Sequence, residues 1–241
     1  MFQWRILIIG LLLIMAATPV SAQDALTYGE AITGEISDEV SQQAYTFFGK
    51  THEVVVMSMI AVDVMADLDR TMLILQDPSG GTIAEYDGFG SSSMFAVLPA
   101  DGDYTLIATR PEEDDSVGEY TLAVSLIQEI GLGESVSGII SSEDGAHLYL
   151  YRGDGGFYLS YTKEAGDFGP EISVNIIGDP EDGQLDTVGA LLGADVERGS
   201  IGIFDGGAVY IIALDEALFS FSFSEITADY TLELLDASKL E

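Results

Sequence analysis

The chain has 241 residues, 47% of them hydrophobic and 10% aromatic, with 27 Gly and only 6 Pro, a composition that excludes disorder or a collagen-like fibre and supports one or two buried cores. Eight Lys plus Arg against 41 Asp plus Glu give a formal charge of -33. That field repels phosphate backbones and anionic headgroups, which sets nucleic acid aside as a partner. The absence of cysteine removes disulfides, thiolate metal sites and Cys nucleophiles together.

Arg5 precedes an unbroken apolar run from Ile6 to Ala17, followed by Pro19 and the small-residue site Val20-Ser21-Ala22. The pattern predicts a signal peptide over residues 1–22 and a mature chain from Gln23. The run is too short to span a bilayer, which takes about 20 residues, and no later stretch is apolar enough to serve as a transmembrane segment. Without a Cys after it, lipid anchoring is not expected. Removing Arg5 leaves 7 basic against 41 acidic residues, or -34. Export without cysteine points to a prokaryotic source and to a secreted, periplasmic or cell-surface location.

Tyr28-Gly29-Glu30-Ala31-Ile32-Thr33-Gly34-Glu35-Ile36-Ser37 aligns without a gap on Leu132-Gly133-Glu134-Ser135-Val136-Ser137-Gly138-Ile139-Ile140-Ser141, a spacing of 104 residues (132 minus 28) that also pairs Tyr45 with Tyr149. Asp77-Pro78-Ser79-Gly80 answers to Asp179-Pro180-Glu181-Asp182-Gly183, and Gly118-Glu119-Tyr120-Thr121-Leu122 to Ala228-Asp229-Tyr230-Thr231-Leu232. Repetition at this period predicts two tandem units, 23–128 and 129–241, each of common domain size.

Short β-type runs recur in each unit: Val54–Met57, Met72–Leu75, Tyr104–Ile107 and Tyr120–Val124, then Phe157–Leu159, Ile172–Ile176, Val209–Ile212 and the alternating Phe219–Phe223. Turn chemistry separates them at Asp77-Pro78-Ser79-Gly80, Asp87-Gly88, Asp101-Gly102, Asp182-Gly183 and Asp205-Gly206. Leu185–Arg198 reads as loop plus strand, and no amphipathic helix is expected. The fold class is all-β, with one antiparallel β-sandwich per unit.

Six segments in order, Gly34-Glu35-Ile36, Ala44–Phe47, Asp67–Leu75, Asp77–Gly80, Leu98–Leu106 and Gly118–Leu122, resemble the bacterial pre-peptidase C-terminal domain. The resemblance covers Leu26–Leu126 well and Ile130–Leu235 loosely. It implies a jelly-roll sandwich related to the collagen-binding modules of clostridial collagenases, exported, appended to secreted proteases or surface proteins, and often associated with calcium. The second unit departs from it with Phe168-Gly169-Pro170 in place of Asp67-Leu68-Asp69, so any calcium property is expected in the first. No peptidase domain accompanies the two units.

Chemistry is sparse. The only imidazoles are His52, in the turn before Val54, and His147, which takes the place of Gln43 in the repeat register; both read as surface or edge-strand residues, and no hydrolase motif surrounds them. Hard cations take carboxylate oxygens, which makes Asp67 and Asp69, flanking Leu68, the calcium candidates. Glu112–Asp115, and Asp179 with Glu181, Asp182 and Asp186, are looser acidic clusters. Tyr158 and Tyr161 are the candidates for a ring platform that stacks sugars, with the core as the competing home. The composition leads to a non-catalytic extracellular binding or structural module. Its partner would be a glycan, matrix or cell-surface protein, engaged in the alternative reading through calcium, and an acid-pair hydrolase is the least favoured reading.

Overall fold

A computed structural model describes residues 24–62, 68–141, 146–166, 171–177, 183–191, 198–204, 209–215 and 227–239. The signal segment, Asp67, Asp179, Glu181, Asp182, Asp205-Gly206, Phe168-Gly169-Pro170 and Phe219–Phe223 lie outside them.

The first nine strands are β1 (Asp24–Ala25), β2 (Ala31–Ile36), β3 (Gln42–Gly49), β4 (Val54–Ala61), β5 (Arg70–Gln76), β6 (Thr82–Phe89), β7 (Ser91–Val97), β8 (Gly102–Thr109) and β9 (Gly118–Leu126). The next nine are β10 (Gln128–Glu129), β11 (Ser135–Ser141), β12 (His147–Arg152), β13 (Phe157–Gly166), β14 (Glu171–Ile177), β15 (Leu185–Leu191), β16 (Arg198–Phe204), β17 (Val209–Asp215) and β18 (Thr227–Asp236). A single 3-10 turn, Ala237–Lys239, follows β18. Among the described residues no helix is long and apolar enough to cross a membrane.

The sheets repeat. One five-stranded sheet runs β1-β3-β8-β5-β6 and its counterpart β10-β12-β17-β14-β15; one four-stranded sheet runs β2-β9-β4-β7 and its counterpart β11-β18-β13-β16. Adding nine to each strand number converts the first unit into the second. Interleaving the strands of two facing sheets in this order is the jelly roll, so the chain is all-β, two jelly-roll sandwiches in tandem.

Alternation builds each core. In β5, Thr71, Leu73 and Leu75 point inward while the residues between them are half-buried, and in β9 Tyr120, Leu122 and Val124 do the same. Phe47, Leu73 and Leu106 from one sheet meet Met57, Met94 and Leu122 from the other. The second core is more aromatic, with Phe157 held edge-on between Tyr151 and Tyr210.

The repeated glycine has a packing cause. Gly34 on edge strand β2 stands opposite Tyr120, and Gly138 on β11 stands opposite Tyr230; in both copies the phenol lies over the glycine, so that an added Cβ at Gly138 would come within 2.9 Å of the Tyr230 oxygen and one at Gly34 would overlap Tyr120 outright. Each phenol then joins a buried polar cluster. The Tyr120 hydroxyl donates to Gln43 Oε1 at 2.7 Å and lies 2.8 Å from that of Tyr45, while Tyr230 lies 2.6 Å from Tyr149 and 2.7 Å from His147 Nδ1. His147 is therefore half-buried as a partner of the Tyr230 phenol, the role Gln43 plays in the first unit.

One turn falls elsewhere than its sequence implies. Asp87 and Gly88 lie inside β6, and the chain reverses at Gly90, whose φ is 69°. The reason is steric: β6 turns into β7 through this one residue, and Gly88 is pressed so close to the Ser91 carbonyl that a side chain there would overlap it. At Asp77 the expected turn is present, with the Asp77 carboxylate accepting from Ser79 N, Ser79 Oγ and Gly81 N. Of the segment Leu185–Arg198, Leu185–Leu191 form β15 and Arg198 opens β16.

Candidate functional site

The two units are joined by one residue. β9 ends at Leu126 and β10 begins at Gln128, while Ile127 donates its N–H to the Val54 carbonyl. β10 then pairs in parallel with β12, as β1 does with β3.

This short link brings an outward face of each unit together. Val54, Ile127, Leu150 and Ile211 form a separate buried cluster, with Val56, Phe95, Leu148, Ile177, Leu185 and Val209 packed around it. Ile211 is 0% exposed and Leu150 2%, although both point away from the core of their own sandwich. The seam is closed by Phe95 N–H donating to the Gly183 carbonyl at 2.7 Å and Gln184 Nε2 to the Ser93 carbonyl at 2.9 Å.

Two clefts flank the linker. One, of about 350 Å³, is lined by Val56, Ser125, Gln128, His147, Leu148 and Tyr149 among others. The other, of about 370 Å³, is walled by Thr51, His52 and Glu53 on the first unit and by Glu129, Leu150 and Arg152 on the second. Clefts at unit junctions are a common place for ligands, and these volumes fall at the small end of the usual range of about 300–1,000 Å³.

The second cleft has a rigid wall. Asp101 Oδ1 accepts from Thr51 N at 2.7 Å and from Thr51 Oγ1 at 2.8 Å, and these bonds, the backbone one foremost, hold the Asp101 carboxyl below its ordinary range. Glu53 Oε2 accepts from Lys50 N and from the Tyr28 hydroxyl. Between them His52 has a φ of 69°, the one non-glycine residue with positive φ among the described residues. Opposite, Arg152 Nε lies 3.2 Å from Glu129 Oε1, yet its N–H is not aimed at that oxygen and the atom is buried without a hydrogen bond.

The residues singled out from sequence are distributed otherwise. Asp67 lies outside the described residues. Asp69 is exposed just before β5, its carbonyl accepting from Gly90 N at 2.8 Å, and Leu68 beside it is 1% exposed in the first core. Among the described residues no group of three or more His, Asp or Glu is placed to hold a metal ion. The loop of Glu112–Asp115 is folded on itself, with Ser116 N donating to Asp114 and Arg110 Nη1 to the Ser116 carbonyl. Burial alone would raise the Asp114 carboxyl, but the Ser116 bonds and the charges of Arg70 and Arg110 hold it low. Asp186 is exposed on β15.

The structure does not bring Tyr158 and Tyr161 together. Three residues apart on β13, they point to opposite faces of the sheet. Tyr161 is 2% exposed in the second core, its hydroxyl buried without a hydrogen-bond partner, and burial pushes the phenol up to about 12. Tyr158 is half-buried on the outer face opposite Leu235, at the position Val56 holds in the first unit. Replacing Tyr161 by Phe deletes an unpaired buried hydroxyl, whose penalty is about 1–3 kcal/mol. The variant is expected to melt about 2–4 °C higher for each kcal/mol gained, and Tyr161→Ala to lose about 3–5 kcal/mol through the cavity left. Thermal unfolding of both variants checks this, and a Tyr161→Phe variant that melts lower than the wild type overturns it.

The junction residues carried a signal that alternation alone passes over. Val54-Val55-Val56, Leu148-Tyr149-Leu150-Tyr151 and Tyr210-Ile211-Ile212 are continuous apolar runs, the mark of strands covered on both faces. Nothing local marks His52 or Arg152.

No protein-family model matches the sequence, and no characterised protein matches it significantly. Among solved structures, the chain is similar to the PBSX exported protein XepA, at 11% identity over 86% of each chain with a TM-score of 0.31. It is similar to the tandem CBM22-1–CBM22-2 domains of Paenibacillus barcinonensis Xyn10C, at 8% identity over 87% of this chain and 92% of that one, TM-score 0.25. A third is the M60 catalytic domain with CBM51-1 and CBM51-2 of Clostridium perfringens ZmpB, at 9% identity over 86% of this chain and 34% of that one, TM-score 0.28. TM-scores this low fall short of fold equivalence over the aligned length, so these chains transfer neither ligand nor activity.

Proposed function

We propose that this chain is an exported, non-catalytic binding or structural module of the extracellular space or cell surface, built from two units like the pre-peptidase C-terminal domain, and that it presents its ligand site at their junction. The observation that carries the reading is the one-residue link with its apolar seam, which leaves clefts whose opposite walls belong to different units. A site assembled this way holds its geometry before the ligand arrives, and preorganisation reduces the cost of binding. Its chemistry is recognition, because the Thr51 and Glu53 side chains that wall the second cleft also brace its turn, and no nucleophile–base pair is built there among the described residues.

A second reading, calcium-dependent attachment to carbohydrate or matrix, is favoured by one feature: Asp69 is held by its backbone and exposed, directly after an anchored Leu68. Hydrogen exchange tests both. The chain from Gln23 is mixed with a panel of soluble polysaccharides and matrix peptides, in calcium and in chelator at matched ionic strength. The junction reading expects a ligand that protects the amides of residues 51–54, 126–129 and 147–152 in either condition. Protection that requires calcium and centres on Asp69 establishes the second reading instead, and turnover of any panel member overturns the non-catalytic assignment.

A further inference from the structure

We infer that the Arg152 cleft takes the carboxylate of a sugar acid; the inference rests on the junction being the ligand site and names the chemistry recognised there. Three observations converge on this one cleft.

Arg152 is the first. A guanidinium offers five donors in a planar fork that matches a carboxylate, yet here Nε is buried without a hydrogen bond, and the nearby Glu129 carboxylate sits 3.2 Å away in poor alignment. The Arg152 side chain is 26% exposed and that of Glu129 67%. The cation is held by packing, whereas its counter-ion is loosely placed at the rim and open to displacement by a better-aligned carboxylate.

The repeat supplies the second. Subtracting 104 places Arg152 at Phe48 and Glu129 at Ala25 in the first unit, where Phe48 is 57% exposed. The jelly roll therefore does not require an ion pair at this position. The pair occurs in the copy that has a neighbouring unit above it, where it faces a cleft. In a chain with 8 basic and 41 acidic residues, the Arg152 guanidinium is one of the few positive groups open to an anion that the rest of the surface repels.

The third is the wall that faces Arg152. Its Thr51 oxygen, already donating to Asp101, retains lone pairs, and Glu53 is a further acceptor; both suit sugar hydroxyls, which donate. Leu126, 43% exposed at the rim of the cleft, suits the apolar C–H face of a pyranose. His52, held at positive φ between Thr51 and Glu53, completes this wall, and strained backbone of this kind concentrates at binding sites.

Titration calorimetry with digalacturonate and with its neutral counterpart, galactobiose, tests the inference on the chain from Gln23. The acid sugar is expected to bind at least tenfold more tightly, since a charge-assisted bidentate pair contributes on that scale. Arg152→Met, which keeps the aliphatic stem, is expected to remove that preference with little change in melting temperature, and Arg152→Lys to keep only part of it. Glu129→Gln removes the competing carboxylate and is expected to tighten binding several-fold, a gain that structural damage would not produce. Equal affinity for both sugars, unchanged in Arg152→Met, overturns the carboxylate assignment while leaving the junction as the site. Binding of digalacturonate with no exchange protection at 51–54 or 147–152 overturns both, and no binding of digalacturonate overturns the sugar-acid assignment.

Discussion

Raising the pH from about 9 to beyond 12 is expected to unfold both sandwiches in a cooperative step driven by their buried phenols. Burial is the first cause that raises Tyr28, Tyr45, Tyr104, Tyr120, Tyr151, Tyr161 and Tyr230 above the ordinary tyrosine value near 10, with Tyr161 at about 12. In the two repeated clusters a second phenol lies within 2.8 Å and 2.6 Å, so ionising one opposes ionising the other. The sign follows from linkage. Between the unfolded value near 10 and the higher folded values, the unfolded chain has released protons that the native chain retains, so unfolding becomes more favourable as pH rises. The stability contributed by these groups is fully present below about pH 10 and is lost as pH climbs through the folded values. Each unit of separation corresponds to about 1.36 kcal/mol, set against a total stability of about 5–15 kcal/mol typical of a domain. Tyrosinate absorbance followed alongside far-ultraviolet circular dichroism checks this. The seven raised phenols are expected to ionise only as the dichroism collapses. All 11 tyrosines ionising near pH 10 with the dichroism unchanged would sink the account.

Ile211→Asp is expected to cost about 3–5 kcal/mol or to separate the two units, whereas Thr105→Asp, at the same place in the first unit, is expected to stay within about 0.5 kcal/mol. The positions correspond because Tyr45 faces Leu106 across β3 and β8 as Tyr149 faces Ile212 across β12 and β17. One step along, the outward pair is Thr46–Thr105 in the first copy and Leu150–Ile211 in the second. The threonines are half-buried under no neighbouring unit, while Leu150 and Ile211 lie beneath Val54 and Ile127. A carboxylate at Ile211 would have no partner in that apolar cluster and would be forced either to drive the seam apart or to remain charged and unsolvated. Calorimetry distinguishes these outcomes: the wild type is expected to unfold in one transition, and Ile211→Asp in two or with a much lower midpoint. Equal melting of the two variants would show that the seam contributes nothing to stability.

The strands were legible because their signal is local. Val54–Met57, Met72–Leu75, Tyr104–Ile107 and Tyr120–Val124 all fall within strands, as do Phe157–Leu159, Ile172–Ile176 and Val209–Ile212, since alternation of apolar side chains is dictated by the two-residue period of the strand itself. The turn at Asp87-Gly88 was misplaced because dipeptide chemistry does not report how closely Ser91 approaches Gly88. The ring pair Tyr158 and Tyr161 was separated by the same period that predicted the strands: an odd spacing puts one ring out and the other in the core.

What the sequence determined by itself was the repeat, its spacing of 104 residues and the all-β character, because each rests on patterns that neighbouring residues impose on one another. Tertiary structure decided what covers the second face of a strand. Leu150 and Thr46 occupy one place in one fold, and nothing in the strand period says which of them a neighbouring unit will bury. That cover arises from the single residue between β9 and β10, which keeps the units adjacent, and from it come the seam, the two clefts and the placing of His52 and Arg152 in one cleft across 100 residues of chain (152 minus 52). Contacts between residues that far apart are a property of assembled surfaces, which a local pattern does not encode.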